Sequence, residues 1–294
     1  MISERRLSEL EEKANIIRQD IIKMLLEAGS GHSAGPLGFC DVMVALYFGD
    51  VLTYDPKRPD WPERDRVVLS HGHICPLFYA VLAHAGFFPH SQLFTLRKIN
   101  SRLQGHPHYG SLPGIENTSG PLGQGLSQAV GMAMALRPDF IGAQGKLGEK
   151  RPQVYCLMSD GEHDEGQTWE AIMFAGKNRL DNLTAILDRN NIQIDGFTEN
   201  VMPLEPLIAK YEAFNWHVLE VDGHNIREII DAISESKAIF ERPVVIIAHT
   251  IPGKGVEFME WEPSWHGIPP KEDEAKKALD ELRTLGGKIR SEHE

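Results

Sequence analysis

Two stretches of the 294-residue chain decide its fold class: Val154-Tyr155-Cys156-Leu157-Met158-Ser159-Asp160-Gly161 and Leu183-Thr184-Ala185-Ile186-Leu187-Asp188-Arg189-Asn190-Asn191-Ile192. Each is a short apolar run that breaks abruptly into polar residues, and residues 168–178 between them carry helical patterning. Strand, helix, strand at this spacing is a βαβ unit, whose strands run parallel because the crossover returns the chain to the same end of the sheet. Strand candidates at 67–69, 217–221 and 244–248, with helical stretches at 206–214 and 226–240, extend the alternation. The expectation is an α/β fold, a parallel sheet sandwiched by helices.

Upstream, Leu7, Leu10, Ala14, Ile17, Ile21, Met24 and Ala28 step by three and four and stop at Gly29-Ser30-Gly31, an amphipathic helix with its terminator. A second helical stretch covers 39–49, and Pro56, Pro59 and Pro62 mark an irregular connector. Residues 105–125 are crowded with Gly, Pro, His, Ser and Asn, a long loop of the kind that carries function. It leads into an apolar helix, 126–136, closed by Pro138. The charged stretch 271–285 reads as a last amphipathic helix. With no internal repeat and no convincing linker, residues 1–294 are expected to form a single domain with an N-terminal helix and a charged helical tail.

Composition narrows the function classes. The hydrophobic fraction of 41% and charged fraction of 24% are those of a globular protein. Lys and Arg number 30 against 42 Asp and Glu, and the net charge of −12 has the wrong sign for gripping a nucleic-acid backbone. No apolar run approaches the ~20 residues of a membrane span, and the charged start MISERRLSELEEKANIIRQD is no secretion signal. Cys40, Cys75 and Cys156 are an odd count without CxxC spacing, against a disulfide framework or a zinc ribbon. The expected home is the cytoplasm, with no nucleic-acid and no membrane partner.

Three constellations carry chemistry. Ser159-Asp160-Gly161 alone fits an Asp-Gly turn as well as a ligand site. Asn190, beyond the next strand, changes that, because the βαβ unit puts both side chains on the carboxyl edge of the sheet, where ligands bind. A carboxylate and an amide oxygen make a hard-oxygen site for Mg²⁺ or Ca²⁺, of the sort that shares its ion with phosphates. Next, Ser119-Gly120-Pro121-Leu122-Gly123-Gln124-Gly125 opens a helix, and free N–H groups there favour an anion, although a plain Gly-rich connector reads the same. Neither GxxxxGK[ST] nor a strand-flanked GxGxxG is present, against a P-loop or a dinucleotide fold. Finally, seven of the 13 histidines fall between His32 and His108, mostly in breaker-rich loops. A lone loop histidine is usually just solvated, whereas several together suggest a proton-trading pocket. Chelation of a transition metal by His71 and His73 is discounted, since no paired helical motif supports it.

Taken in order, SGH with GPLG, LSHGH, GHP followed by SGPLGQGLS, SDGEHDEG, DRNNIQIDG, VDGHN and the closing GKG…WHG resemble transketolase, a thiamine diphosphate enzyme, over residues 10–270. The chain looks like its N-terminal, diphosphate-binding third, the first subunit of a split, two-chain enzyme. The resemblance implies that Asp160, Asn190 and the Ile192 carbonyl hold Mg²⁺ (or Ca²⁺) against the cofactor diphosphate. It places Gly120, Pro121, Leu122, Gly123 and Gln124, with Gly161 and Glu162, against the cofactor, and His73 and His266 beside the diphosphate. His32 and His106 match histidines near the sugar, and Glu165 a carboxylate that communicates across the interface with the glutamate activating the pyrimidine ring. Also implied are a C-terminal partner subunit carrying the pyrimidine-binding domain, an α2β2 heterotetramer, sugar phosphate substrates and a setting in the pentose phosphate pathway. The activity implied is transfer of a two-carbon glycolaldehyde unit from a ketose phosphate to an aldose phosphate.

The chain departs from the family pattern at Ser33-Ala34 (commonly Pro-Gly after His32), His71 (often Asn or Lys), His108 (often acidic) and His249 (often Lys). All four are expected to border the substrate channel, which leaves a branched, sulfonated or deoxy ketose donor as an alternative. A 2-oxo-acid dehydrogenase α subunit shares the Asp…Asn pair, but the histidine-rich loops and GHP…GPLGQG argue against it. A cofactor-binding, catalytically silent partner is the reading from another class, which the retained metal residues, Glu165 and histidines disfavour.

Overall fold

The computed structural model describes residues 2–137 and 151–284; Pro138 and Leu285, read above as helix ends, lie outside them. The long first helix α1 (Glu4–Ala28) starts where the Ser3 hydroxyl accepts from the Arg6 N–H and ends at Gly29, whose φ of 62° would strain any side chain. Leu10, Ala14, Ile17, Ile21 and Met24 face the core as their spacing requires. Helices α2 (Ala34–Gly38) and α3 (Cys40–Phe48) follow, then strand β1 (Arg66–Leu69), α4 (Cys75–His84) and α5 (Gly125–Ala135). The second half runs β2 (Val154–Ser159), α6 (Gly166–Lys177), β3 (Leu183–Arg189), a small hairpin of β4 (Ile192–Gln193) and β5 (Gly196–Phe197), and α7 (Thr198–Val201). It closes with α8 (Leu207–Ala213), β6 (His217–Asp222), α9 (Ile226–Ser236), β7 (Val244–His249) and α10 (Glu272–Thr284).

Five strands pair in parallel in the order β1-β2-β3-β7-β6. Alternate strand residues enter two separate apolar cores. Tyr155, Leu157 and Ile186 pack with α1, α3, α4, α9 and α10, while Val154, Cys156, Met158 and Leu187 pack with α5, α6 and α8. A sheet covered on both faces is why its strands read as continuous apolar runs. The sandwich expected from sequence is therefore present. Cys40, Cys75 and Cys156 are all free and buried, and among the described residues no helix is long and apolar enough to cross a membrane.

The differences from the sequence reading have simple causes. Helix α4, which was not foreseen, is apolar all round and buried from Cys75 to Ala83, so it has no periodicity to read. The stretch expected to stay helical to residue 240 stops at Ser236, and Phe240, 78% exposed, takes no part in the buried face of α9. The loop expected at 105–125 has neither helix nor strand before Gly125. It is secured by Asn117, whose amide pairs with the Leu69 N–H and C=O at 3.1 Å each, as a neighbouring strand would.

One buried ionic knot ties α1 and α3 to the loops after β6 and β7. Arg18, 1% exposed, grips both oxygens of Asp41 at 3.0 and 2.6 Å and donates to the Leu37 carbonyl. His224 accepts from the Ile251 N–H at Nε2, so its Nδ1–H donates to Asp41 at 2.8 Å. Burial alone would push the Asp41 carboxyl up, but Arg18 and His224 hold it down at about 2. Its folded value thus lies below the ordinary ~3.9, so its contribution is present above about pH 4 and lost as pH falls through about 2. Asp41→Ala strands the buried guanidinium and should cost about 3–5 kcal/mol by chemical denaturation at neutral pH. The gap between variant and wild type should narrow in the acid range; a gap constant down to pH 2 would contradict this account.

Candidate functional site

Strand register sets the site. Leu69 lies opposite Leu157, Ser159 opposite Asp188 and Arg189 opposite His249, so β1, β2, β3 and β7 end along one edge. Beyond those ends is a cavity of about 420 Å³ whose lining includes His32, His73, His106, Gly120, Leu122, Asp160, Gly161, Asn190, Ile192 and His266. Its size suits a small-molecule ligand. Pro121, Gly123, Gln124, Glu162 and Glu165 are not part of that lining.

Asp160, 1% exposed, follows β2 directly. Its Oδ2 accepts from the Arg189 guanidinium (3.0 Å), the Asn191 N–H (2.8 Å) and the Thr198 hydroxyl (3.2 Å), whereas Oδ1 accepts from the Gly161 N–H (2.8 Å). Burial pushes this carboxyl up, against the pull of Arg189. Asn190 donates its amide to Asp188 at 3.0 Å, which leaves the amide oxygen, accepting from the Ile192 N–H, as the atom it offers. Asp188 is itself buried and bonded by the Thr250 hydroxyl; burial, with the nearby charge of Asp160, raises it to about 8. Two hard-oxygen side chains and the Ile192 backbone thus meet at one cavity wall. The donor set fits Mg²⁺ or Ca²⁺ better than a softer ion.

The glycine loop behaves differently from its sequence reading. The N–H groups of Gly123 and Gly125, expected to be free for an anion, are taken by Glu162 Oε1 at 2.8 Å and the Ser70 hydroxyl at 3.1 Å. The anion at the start of α5 is the protein's own carboxylate. Glu162 is fully buried and also accepts from the Ser70 hydroxyl and the Ser159 N–H. Its oxygens are spent on protein donors, so here it braces the loop rather than facing the cavity. The glycines are still required. A Cβ on Gly125 would sit 2.4 Å from the Ser70 Cβ, and at Gly123, with φ of 79°, it would sit 2.7 Å from the Glu165 Cβ. Glu165 lies on the exposed stretch that opens α6.

The histidines do converge. Ring centroids of His32, His73 and His266 lie 5.1–5.6 Å apart, with His71 5.7 Å behind His73. Buried nitrogens without a protein partner include His32 Nδ1, His73 Nε2 and His266 Nδ1, polar atoms left for a ligand. Burial lowers all of them: His32, helped by the charges of His266, Arg97 and His106, to about 4, His73 well below the ordinary value, and His266 and His106 in the same direction. At neutral pH the pocket therefore holds neutral imidazoles, which can both accept and donate protons.

The four departures, expected to border a substrate channel, are not among the residues that line this cavity. His71 is fully buried under His73, edge-on to Phe39. Ser33 spends its hydroxyl on the Ile268 carbonyl, His249 pairs with the half-exposed Glu220 at 3.0 Å, and His108 is exposed. Sequence reasoning missed Arg189 and Asp188 as the groups that orient Asp160 and Asn190. Both stand in the quoted DRNN run, yet only strand pairing shows which way each points.

Residues 10–286 match the family model described as "Transketolase, thiamine diphosphate binding domain". The chain is 44% identical to the 6-deoxy-6-sulfo-D-fructose transketolase subunit SqwG of Clostridium sp. (strain MSTE9), over 95% of this chain and 98% of that one. It is 41% identical to an apulose-4-phosphate transketolase subunit of Actinobacillus succinogenes, over 94% and 96%. Among solved structures, transketolase from Leishmania mexicana superposes with a TM-score of 0.87 at 34% identity, covering 93% of this chain and 41% of that one.

Neutral, buried histidines have a measurable consequence. Because the folded values of His32 and His71 fall to about 4 from the ordinary ~6.5, the unfolded chain binds more protons in between. Stability should be full above about pH 6.5 and fall as pH drops toward 4. Imidazole NMR should place the His32 titration midpoint near 4; a midpoint near 6.5 would refute the desolvated pocket.

Proposed function

The chain belongs to the transketolase family, as its thiamine diphosphate-binding domain, and on that premise we propose that it is the N-terminal subunit of a two-chain transketolase. In this reading residues 1–294 are one diphosphate-binding domain, and the enzyme moves a glycolaldehyde unit from a ketose phosphate to an aldose phosphate. The observation that carries it is the meeting, in one cavity, of the Asp160–Asn190–Ile192 oxygen set with neutral histidines whose buried nitrogens lack protein partners.

Thiamine diphosphate, when bound, supplies the electron sink that lets the ketose C2–C3 bond break. The residues of the chain bind and orient. Asp160, Asn190 and the Ile192 carbonyl would hold Mg²⁺ (or Ca²⁺) against the diphosphate, with Gly120, Leu122 and Gly161 giving close backbone approach. His73 and His266 would lie beside the diphosphate. His32 and His106, uncharged at neutral pH, would exchange protons with sugar hydroxyls. Glu162 would act through the loop it braces, and Glu165 toward the interface.

Exposed apolar side chains near this edge and on α6, Leu122, Ile194, Met173 and Phe174, support a covering partner. That partner would be the C-terminal subunit bearing the pyrimidine-binding domain, in an α2β2 assembly. Buried free thiols favour a reducing cytoplasm. The substrates proposed first are those of the pentose phosphate pathway. A second reading, an unusual ketose donor, is favoured by the two subunit relatives, whose names specify 6-deoxy-6-sulfo-D-fructose and apulose-4-phosphate.

Two experiments test the proposal. Asp160→Ala should keep the fold, because Arg189 retains Glu199 (2.6 Å) and Glu205 (3.0 Å). By calorimetry with the partner present it should lose thiamine diphosphate affinity by more than about tenfold, since the bridging ion loses its anionic ligand; unchanged affinity would sink the metal assignment. Separately, the purified chain should be inactive alone and gain activity when the second subunit is added. Xylulose 5-phosphate and a panel of branched, sulfonated and deoxy ketose phosphates would identify the donor. Turnover of pyruvate instead, or of no donor at all, would overturn the reading.

A further inference from the structure

Four of the seven clustered histidines do not line the cavity, and two of these, His84 and His90, come together elsewhere. His84 ends α4, and His90 opens the 3₁₀ turn His90–Thr95. Both turn Nε2 toward one oxygen of Asp20, in the middle of α1: His84 at 2.9 Å and His90 at 2.7 Å from Oδ2. We propose that Asp20, His84 and His90 bind one divalent transition-metal ion of the zinc type.

The ligand atoms lie within 4.8 Å of one another, and among the described residues this is the group of three or more His, Cys, Asp and Glu side chains that converges so closely. Two imidazoles and a carboxylate suit Zn²⁺ or Co²⁺, whereas Mg²⁺ and Ca²⁺ prefer all-oxygen sets. The ring centroids are 5.2 Å apart and nearly perpendicular, which keeps both nitrogens aimed at one point without stacking. Phe94 braces His90 from behind at 5.8 Å. Access is graded: the side chain of Asp20 is 4% exposed, that of His84 17% and that of His90 47%. An ion could therefore enter past His90 and keep water as a fourth ligand. Lys23, 3.6 Å from the other Asp20 oxygen, is 40% exposed and free to swing into solvent as the ion takes its place. An imidazole that carries its proton on Nδ1 presents a lone pair at Nε2, the atom each ring turns toward Asp20. The bound ion would clamp the turn to α1. That turn leads into Arg97, which donates to the Gly105 carbonyl beside His106.

The test uses the full chain, stripped by chelation and held without thiamine diphosphate or Mg²⁺. Titration with Co²⁺ should give the visible bands of a four-coordinate site and roughly one ion per chain. Zn²⁺ should raise the melting temperature. His90→Gln, which keeps a donor toward Asp20, and the half-exposed His90→Ala should fold normally and weaken binding more than about 100-fold, beyond the loss of a mere supporting contact. The inference falls if no Co²⁺ binds above an adventitious level. It falls equally if both variants bind like wild type, or if His32→Ala abolishes binding instead, placing the ion in the cavity.

Discussion

The Glu162 carboxylate is the group that bonds three segments at once: the end of β1 through Ser70, the end of β2 through Ser159, and the glycine loop through Gly123. A carboxylate this deeply buried is tolerated only because its oxygens are met by donors. The positive end of α5 adds to them. Gly125 then closes on Ser70 so tightly that no side chain could stand there. Remove this brace and the loop carrying Gly120 and Leu122 is left with its Asn117 and Gly125 ties to the end of β1.

On that brace rests a division of electrostatic labour around the cavity. One part of the lining, Asp160 and Asn190 with Asp188 buried behind them, is acidic and rich in oxygen, with Arg189 drawing off part of the charge through one oxygen of Asp160. Glu199 and Glu205 hold that arginine in place from the solvent side. Another part is a cluster of imidazoles, His32, His73 and His266, kept neutral by burial and by one another. In the function proposed above, a cation at the oxygens and proton exchange at the imidazoles would operate at one pH without the two interfering. The separation comes from desolvation rather than from distance, since Asp160, Asp188, Asn190 and His73 are all buried.

How much of this was legible beforehand varies by residue. Asp160 and Asn190 could be paired from sequence because a βαβ unit has one geometry, so two residues just past its strands share an edge whatever the rest of the chain does. Helix α1 was equally plain, since apolar steps of three and four ending in glycine leave one solution. By contrast α4 was invisible, because a helix buried on all sides has no polar face to set its period. Of the glycine loop, sequence conveyed the need for close approach but not its object, and the N–H groups expected to be free proved to be filled by Glu162 and Ser70.

Local periodicity and chain connectivity, then, settled the parallel α/β sandwich and the edge at which a site must lie, because both follow from hydrogen-bonding geometry over a few dozen residues. Tertiary structure alone decided which histidines share a pocket. His32 comes from the turn after α1, His73 from the 3₁₀ turn that follows β1 and His266 from a turn after β7, and nothing in their spacing brings them within 6 Å. Nor could spacing reveal that His71 lies beneath the pocket or that His84 and His90 point at Asp20. Those relations depend on how helices pack across the sheet, which is set by the fit of whole faces rather than by any one stretch of residues.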